Sequence, residues 1–311
     1  MRAARGLICA LSLLVATVTT SAQDFYNVSP NARATALGGA TLAIQGDAYP
    51  TFGNPASPLL QFQYRSIQAA FGYTTFSDSS MSGHQLMAFG GYGRVAVQHA
   101  ISVGGQFAIE PRNASTDKRA GMQRFDLGYG YQLNDNLALA ATARYRRSYG
   151  HGTKSAISDF NSGGFDVALF SRLPIAIKEG AMLNLGAKIS YESTASLGYD
   201  AYTFAPSVGA GVWVPFGDGH TLESAAELQY GLCGSNNVVC AKLGVEYGLM
   251  QLLYFRCGGN IYHRHNATTI GYGSIGLGVR FFHLQFDVAY SVGRRGTPMH
   301  NAVQFSAGLD F

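Results

Sequence analysis

From about residue 64 onward the sequence alternates with a period of two, the pattern of a strand with one wet face and one dry face. The last segment sets Val303, Phe305, Ala307, Leu309 and Phe311 against Gln304, Ser306, Gly308 and Asp310. The one before it sets Leu284, Phe286, Val288, Tyr290 and Val292 against Gln285, Asp287, Ala289 and Ser291. Further back, Leu183, Leu185, Ala187, Ile189 and Tyr191 interleave with Asn184, Gly186, Lys188, Ser190 and Glu192. A helical period would scatter these residues around a cylinder, so the pattern predicts an all-β fold.

A soluble sandwich turns its polar face to water, whereas a transmembrane barrel turns its apolar face to lipid and its polar face to the lumen. Three features favour the barrel. Alternating segments of about ten residues suit tilted membrane strands, while soluble strands average about half that. Connections alternate between short and long. The chain also ends on Phe311 at the close of an alternating strand, like the terminal signal of outer-membrane proteins. Charged residues make up 13% of the chain, about half the share in soluble domains, yet no run of some 20 apolar residues offers a helical span.

The segments number fourteen: 64–76, 84–91, 94–109, 122–132, 137–148, 163–173, 181–193, 205–216, 221–233, 240–249, 251–262, 270–282, 284–292 and 302–311. An even count puts both ends of the barrel on the periplasmic side. Asn134–Asn136, Gly217–Gly219 and His283 then become periplasmic turns. Segments 110–121, 149–162, 194–204, 263–269 and 293–301 become outer loops, carrying Arg112, Lys118, Arg119, His151, Lys154, His263, Arg264, His265, Arg294 and Arg295. That basic rim is either a solvated edge or a contact for anionic lipopolysaccharide, alongside the lipid the barrel face requires.

The one long apolar run, Leu7 to Val18, follows Arg2 and Arg5 and precedes small residues up to Ala22. About a dozen apolar residues is a signal-peptide core and too short for a span, so residues 1–22 are expected to be removed; an uncleaved anchor is the alternative. Losing two arginines lowers the net charge from +4 to about +2, which gives no reason to expect nucleic acid.

Three cysteines remain. Placing a turn over Gly234–Val239 sets Cys233 opposite Cys240 on the lumen face, and predicts a disulfide. Cys257 shares a face with Leu253, Phe255 and Ile261 and reads as a small lipid-facing residue. No CxxC pair or zinc spacing occurs, and nothing calls for a metal or cofactor. The eight histidines form no set with a serine and an acid that the register places together, which argues against an enzyme.

Residues 23–63 do not alternate. They carry Ala32-Arg33, Leu37-Gly38-Gly39-Ala40, Asp47-Ala48 and Asn54-Pro55-Ala56. This series resembles the start of the mature PorV/PorQ proteins of the type IX secretion system, which are similar in architecture to the FadL long-chain fatty-acid transporters. Asp126–Leu133 and Gly276–Arg280 also look like that family, while Gly53 stands where an aromatic residue often precedes the Asn-Pro-Ala. The resemblance implies a fourteen-stranded barrel, residues 64–311, whose lumen is plugged by residues 23–63. Arg33 and Asp47 then have possible partners in Asp126, Glu223, Glu227, Lys188 and Lys242. A plug makes sense without the family, since fourteen strands enclose more space than wall side chains fill.

Two functions follow as expectations. By resemblance, the barrel serves protein export, binding or delivering secreted cargo or other secretion subunits. Alternatively, it carries hydrophobic small molecules by the FadL route, which requires an apolar pocket between plug and wall and a lateral gap in it, a requirement that a mostly polar lumen disfavours. A purely structural barrel is the third possibility.

Overall fold

The structure is a computed structural model that describes residues 29, 31–46, 49–61, 67–77, 83–112, 119–153, 156–196, 199–233, 236–264, 270–295, 297 and 299–311. The expected signal peptide, residues 1–22, and Asp47 lie outside the described residues.

Alternation produces fourteen strands: β1 (Ile67–Phe76), β2 (Gln85–Ala96), β3 (His99–Arg112), β4 (Arg119–Asn134), β5 (Leu137–Thr153), β6 (Ala156–Pro174), β7 (Met182–Ser196), β8 (Tyr199–Gly217), β9 (His220–Cys233), β10 (Asn236–Leu249), β11 (Leu253–Arg264), β12 (Ile270–Phe281), β13 (Leu284–Gly293) and β14 (Ala302–Asp310). Each pairs antiparallel with the next, and β14 returns to β1. Main-chain bonds between Ile67 and Phe311, at 3.1 and 2.9 Å, extend that closing seam. Closure removes every sheet edge, which the interior of a bilayer demands because lipid cannot satisfy free N–H and C=O groups.

The burial pattern is that of a soluble protein turned inside out. Leu127 is 59% exposed and Ile275 62%, whereas Asp126 is 5% exposed and Asp166 fully buried. Phe71, Val167, Leu228, Leu243, Phe286 and Phe305 continue the apolar outer face. Phe216, Phe281, Phe282 and Phe311 stand exposed at the end with the short turns, and Tyr145, Phe165 and Tyr290 toward the other. These two levels match the aromatic girdles of membrane barrels, and the short-turn end is the periplasmic one. Asp218 and Gly219 form one such turn, both at positive φ (47° and 79°), as a two-residue hairpin loop prefers.

At the outer end the strands run on. β5, β6, β7 and β8 contain 17, 19, 15 and 19 residues, against about ten needed to span. Their extra length stands above the membrane, where the exposed pair Arg147–Asp159 (3.4 Å) sits on the outer surface. Segments 149–162 and 194–204 are therefore largely strand rather than loop. Alternation is weak in these two segments, so the sequence signal is lost while the ladder continues. A second correction concerns Tyr92 and Gly93, placed between two strands in the sequence but continuing β2; the turn lies at Val97–Gln98 instead. The β8–β9 ladder pairs Phe204 with Leu232 and resumes at Ser207 with Gln229, skipping Pro206, which has no N–H to offer.

The predicted disulfide is also corrected. β9 ends at Cys233 and β10 begins at Asn236, and their register sets Cys233 opposite Asn236 and Cys240 opposite Gln229. Four residues of strand, about 13 Å, separate Gln229 from Cys233, far beyond the reach of a disulfide. Cys240 is a buried free thiol, and Cys257 an exposed one on the lipid face as the alternation predicts.

Candidate functional site: the lumen and its N-terminal segment

Residues 31–46 and 49–61 lie among lumen-facing side chains. A short helix, α1 (Ala32–Ala36), begins at Asn31, whose Oδ1 accepts the Ala34 N–H at 2.6 Å. It stops at Gly38 and Gly39, both at positive φ (63° and 79°), whose N–H groups bond back to Thr35 and Ala34 at 2.9 and 2.8 Å. Farther on, Asn54 Oδ1 accepts the Ala56 N–H at 3.0 Å while its Nδ2 donates to the carbonyls of Leu42 (2.9 Å) and Leu169 (3.0 Å). A 3-10 turn, Ser57–Leu60, follows.

Arg33 is the keystone. Its guanidinium has five N–H donors, and the contacts use all of them: Nε to Glu246 (2.8 Å), Nη2 to Glu246 (3.0 Å) and Glu223 (3.2 Å), Nη1 to the carbonyls of Gln45 (2.7 Å) and Gly46 (2.9 Å). Glu223 and Glu246 face each other directly across β9 and β10, a like-charge pairing that destabilises a sheet unless a cation bridges it. Arg33 is one bridge. Arg256, opposite Glu246 on β11, is the other, and it also bonds Asp287 at 2.6 Å.

The same wall holds the main chain of the segment. Glu227 accepts the N–H groups of Thr41 (3.2 Å) and Leu42 (3.1 Å) while pairing with Lys242 at 2.6 Å. Glu223 accepts Gln45 N–H at 3.0 Å. Asn260 donates to Gly38 O (3.1 Å), Ser274 to Ala36 O (3.2 Å), Gln304 to Ser29 O (2.9 Å) and Lys188 to Gly53 O (2.8 Å). Across the lumen, Arg144 ties Asp126 (3.1 Å) to Asp166 (2.6 Å), and Arg124 lies over the Phe52 ring at 4.3 Å.

Wall glycines make room for these contacts. A Cβ on Gly186 would overlap Leu42, on Gly244 or Gly258 Leu37, on Gly276 Ala36, and on Gly104 Thr51. Gly38 is the reciprocal case, since its own Cβ would overlap the main chain of Gly259. Leu37, Ala40 and Ile44 pack with Ala225, and Ala56, Leu59 and Leu60 with Tyr92, Ala138 and Phe170.

Arg33, Leu37, Gly38, Gly39, Ala40, Asn54, Pro55 and Ala56 are thus brought together inside the barrel, every one of them buried. Of the partners expected for Arg33 and Asp47, Glu223 pairs with Arg33; Asp47 lies outside the described residues. Glu246, Arg256, Asp287 and Gln304 were not singled out. Their signal was the lumen side of the alternation, which places them on the right face without giving a partner.

Two further features lie toward the ends of the lumen. Toward the periplasm, a cavity of about 30 Å³, room for one or two waters, is bordered by Asn31, Arg33, Tyr49, Gln68 and Asp287. Toward the outside, Leu86, Ala108, Met122, Tyr272 and Met299 form a buried apolar cluster with Phe76 packed against it.

A closed fourteen-stranded barrel with an apolar exterior and a charged lumen defines a multi-pass protein of the outer membrane. Its fold is that of the FadL-like channels. A FadL homologue of Pseudomonas aeruginosa aligns with 13% identity and a TM-score of 0.60 over 91% of this chain and 99% of that one. The toluene transporter TbuX of Ralstonia pickettii aligns with 14% identity and a TM-score of 0.58 over 90% and 98%. TodX, the toluene transporter of Pseudomonas putida, gives 11% identity and a TM-score of 0.56 over 89% and 96%. These neighbours are transporters or channels rather than enzymes. The sequence matches no established family profile and no curated protein.

Proposed function

We propose that this barrel admits small hydrophobic molecules through the outer membrane, with the N-terminal segment closing the lumen to water and ions. The observation that carries the reading is the buried apolar cluster Leu86, Ala108, Met122, Tyr272 and Met299, with Phe76 packed against it, at the outer end of the lumen; unlike the apolar contacts of Leu37–Ile44 and Ala56–Leu60, it includes no residue of the N-terminal segment. A charged lumen wall has no structural need for such a cluster, whereas a route for greasy molecules needs an apolar station on it. Support also comes from neighbours, aligned over 96–98% of their own chains, that are described as toluene transporters.

A role in type IX secretion is the second reading, favoured by the Leu37–Ala40 and Asn54–Ala56 motifs. Packing against the wall already accounts for those residues, and their burial leaves them no surface for cargo or a partner subunit. Lipopolysaccharide at the basic outer rim fits either role. The test is uptake of labelled toluene by proteoliposomes carrying the purified chain. Faster entry than into protein-free vesicles supports the channel. No difference, together with periplasmic retention of secreted proteins in a deletion strain, favours the secretion reading.

A further inference from the structure

We propose that two imidazoles on the periplasmic rim, His99 and His220, hold the phosphodiester headgroups of phospholipids in the periplasmic leaflet. The surface lies on the outside of the barrel, so the inference goes beyond the channel reading and does not depend on it.

His99 begins β3 and His220 begins β9, both at the short-turn end. The alternation puts His99 on the outer face with Ile101 and Val103, and His220 with Leu228 and Tyr230, all four of them exposed to lipid. Each ring is fixed by a tyrosine on the next strand. His99 Nδ1 lies 2.5 Å from the Tyr129 hydroxyl, and His220 Nδ1 lies 2.7 Å from that of Tyr247. In both pairs the ring centroids are 6.0 Å apart. His99 also lies 5.0 Å from the ring of Tyr131, whose hydroxyl donates to Gln98 Oε1 at 3.3 Å. Among the described residues, no group bonds Nε2 of either histidine.

A girdle tyrosine sits at the headgroup level, where its hydroxyl is free to meet water and lipid. Here the two levels of the barrel dispose of that hydroxyl differently. Toward the outside, Tyr145 donates to Asn161 Oδ1 at 2.9 Å and Tyr290 to Asn301 Oδ1 at 2.8 Å. An amide oxygen only accepts, so the chain of bonds stops there. At the periplasmic level the hydroxyls of Tyr129 and Tyr247 reach an imidazole, which passes the bond on.

A phenol hydroxyl is a better donor than a neutral imidazole N–H, so Nδ1 accepts and the hydrogen of the neutral ring resides on Nε2. Both rings therefore offer an oriented N–H at headgroup depth. A phosphodiester oxygen is the strongest acceptor a phospholipid brings to that depth, because bonds to an ionised acceptor are about twice as strong as neutral ones. Charges nearby favour His99: Arg94 donates to Val97 O at 3.1 Å in the turn before it, whereas Asp218 lies two residues before His220. His283, also on this rim, has the opposite polarity. Its Nδ1 donates to the Asp310 carbonyl at 2.6 Å and its ring stacks on Phe311, so the neutral ring presents a lone pair at Nε2.

The direct test is nitrogen–phosphorus dipolar recoupling by solid-state NMR on the full chain, isotopically labelled at histidine, in phosphatidylglycerol liposomes. Nε2 of His99 and His220 should couple to phosphorus while Nδ1 does not. Native mass spectrometry supplies the second measurement, with phosphatidylglycerol competing against a galactolipid of the same acyl chains. The parent chain should retain the phospholipid with about three- to ten-fold preference. Combining His99→Asn with His220→Asn keeps a polar group at the Nδ1 position and should abolish the preference, His99→Asn alone removing more of it than His220→Asn. His99→Gln with His220→Gln, which reach the Nε2 position, should restore part, and His283→Asn should change nothing. Absence of phosphorus coupling at Nε2, a preference that survives the double Asn variant, or an equal loss from His283→Asn overturns the proposal. None of these readouts depends on whether toluene crosses the barrel.

Discussion

Arg33 shows how much one side chain from the N-terminal segment contributes to the wall. Arg33→Met leaves Glu223 and Glu246 opposite each other with Arg256 alone to offset them, and frees two carbonyls as well. Breaking a buried pair typically costs about 3–5 kcal/mol, so the urea midpoint of the lipid-embedded barrel should fall sharply. Adding Glu223→Gln to Arg33→Met should recover part of the loss. Arg33→Lys recovers little, since an ammonium cannot reproduce five donors in a fixed plane. Gly38→Ala tests the contact from the other direction. Positive φ and the approach to Gly259 leave no room for a methyl, and thermal unfolding should move several degrees lower. At this scale the sequence was half legible. Charge and lumen position put Glu223 among the possible partners of Arg33, but not Glu246, Arg256 or Asp287, because their roles depend on cross-strand register.

Register is the question at the level of elements, and β9–β10 shows why it was misread. Pairing Cys233 with Cys240 sets Glu227 opposite Glu246 and leaves Lys242 opposite Gly231. The observed register sets Lys242 opposite Glu227 instead. Charge complementarity within the hairpin was the better guide, and it was present in the sequence; two attractive cysteines outweighed it. Non-reducing peptide mapping should find no link between Cys233 and Cys240. Conversely, Gln229→Cys should form a disulfide with Cys240, its direct neighbour. The strand count, by contrast, was fully legible wherever lipid lies on one side and lumen on the other. Strand ends were lost in β5–β8, where the ladder rises into water and alternation no longer carries a penalty.

For the whole molecule, the inverted burial pattern sets both where the barrel resides and what can cross it. Leu243, 64% exposed at the middle of β10, belongs to the lipid belt; Leu243→Arg should cost about 2–4 kcal/mol in a bilayer. The channel reading itself combines two statements, that the N-terminal segment seals the lumen and that small hydrophobic molecules still pass. Both are read in one preparation: proteoliposomes carrying the intact chain, loaded with a potassium-sensitive dye and supplied with labelled toluene. Accelerated toluene entry without a potassium leak is the predicted result, and a potassium leak of open-pore size, or toluene entry no faster than through bare lipid, would contradict it.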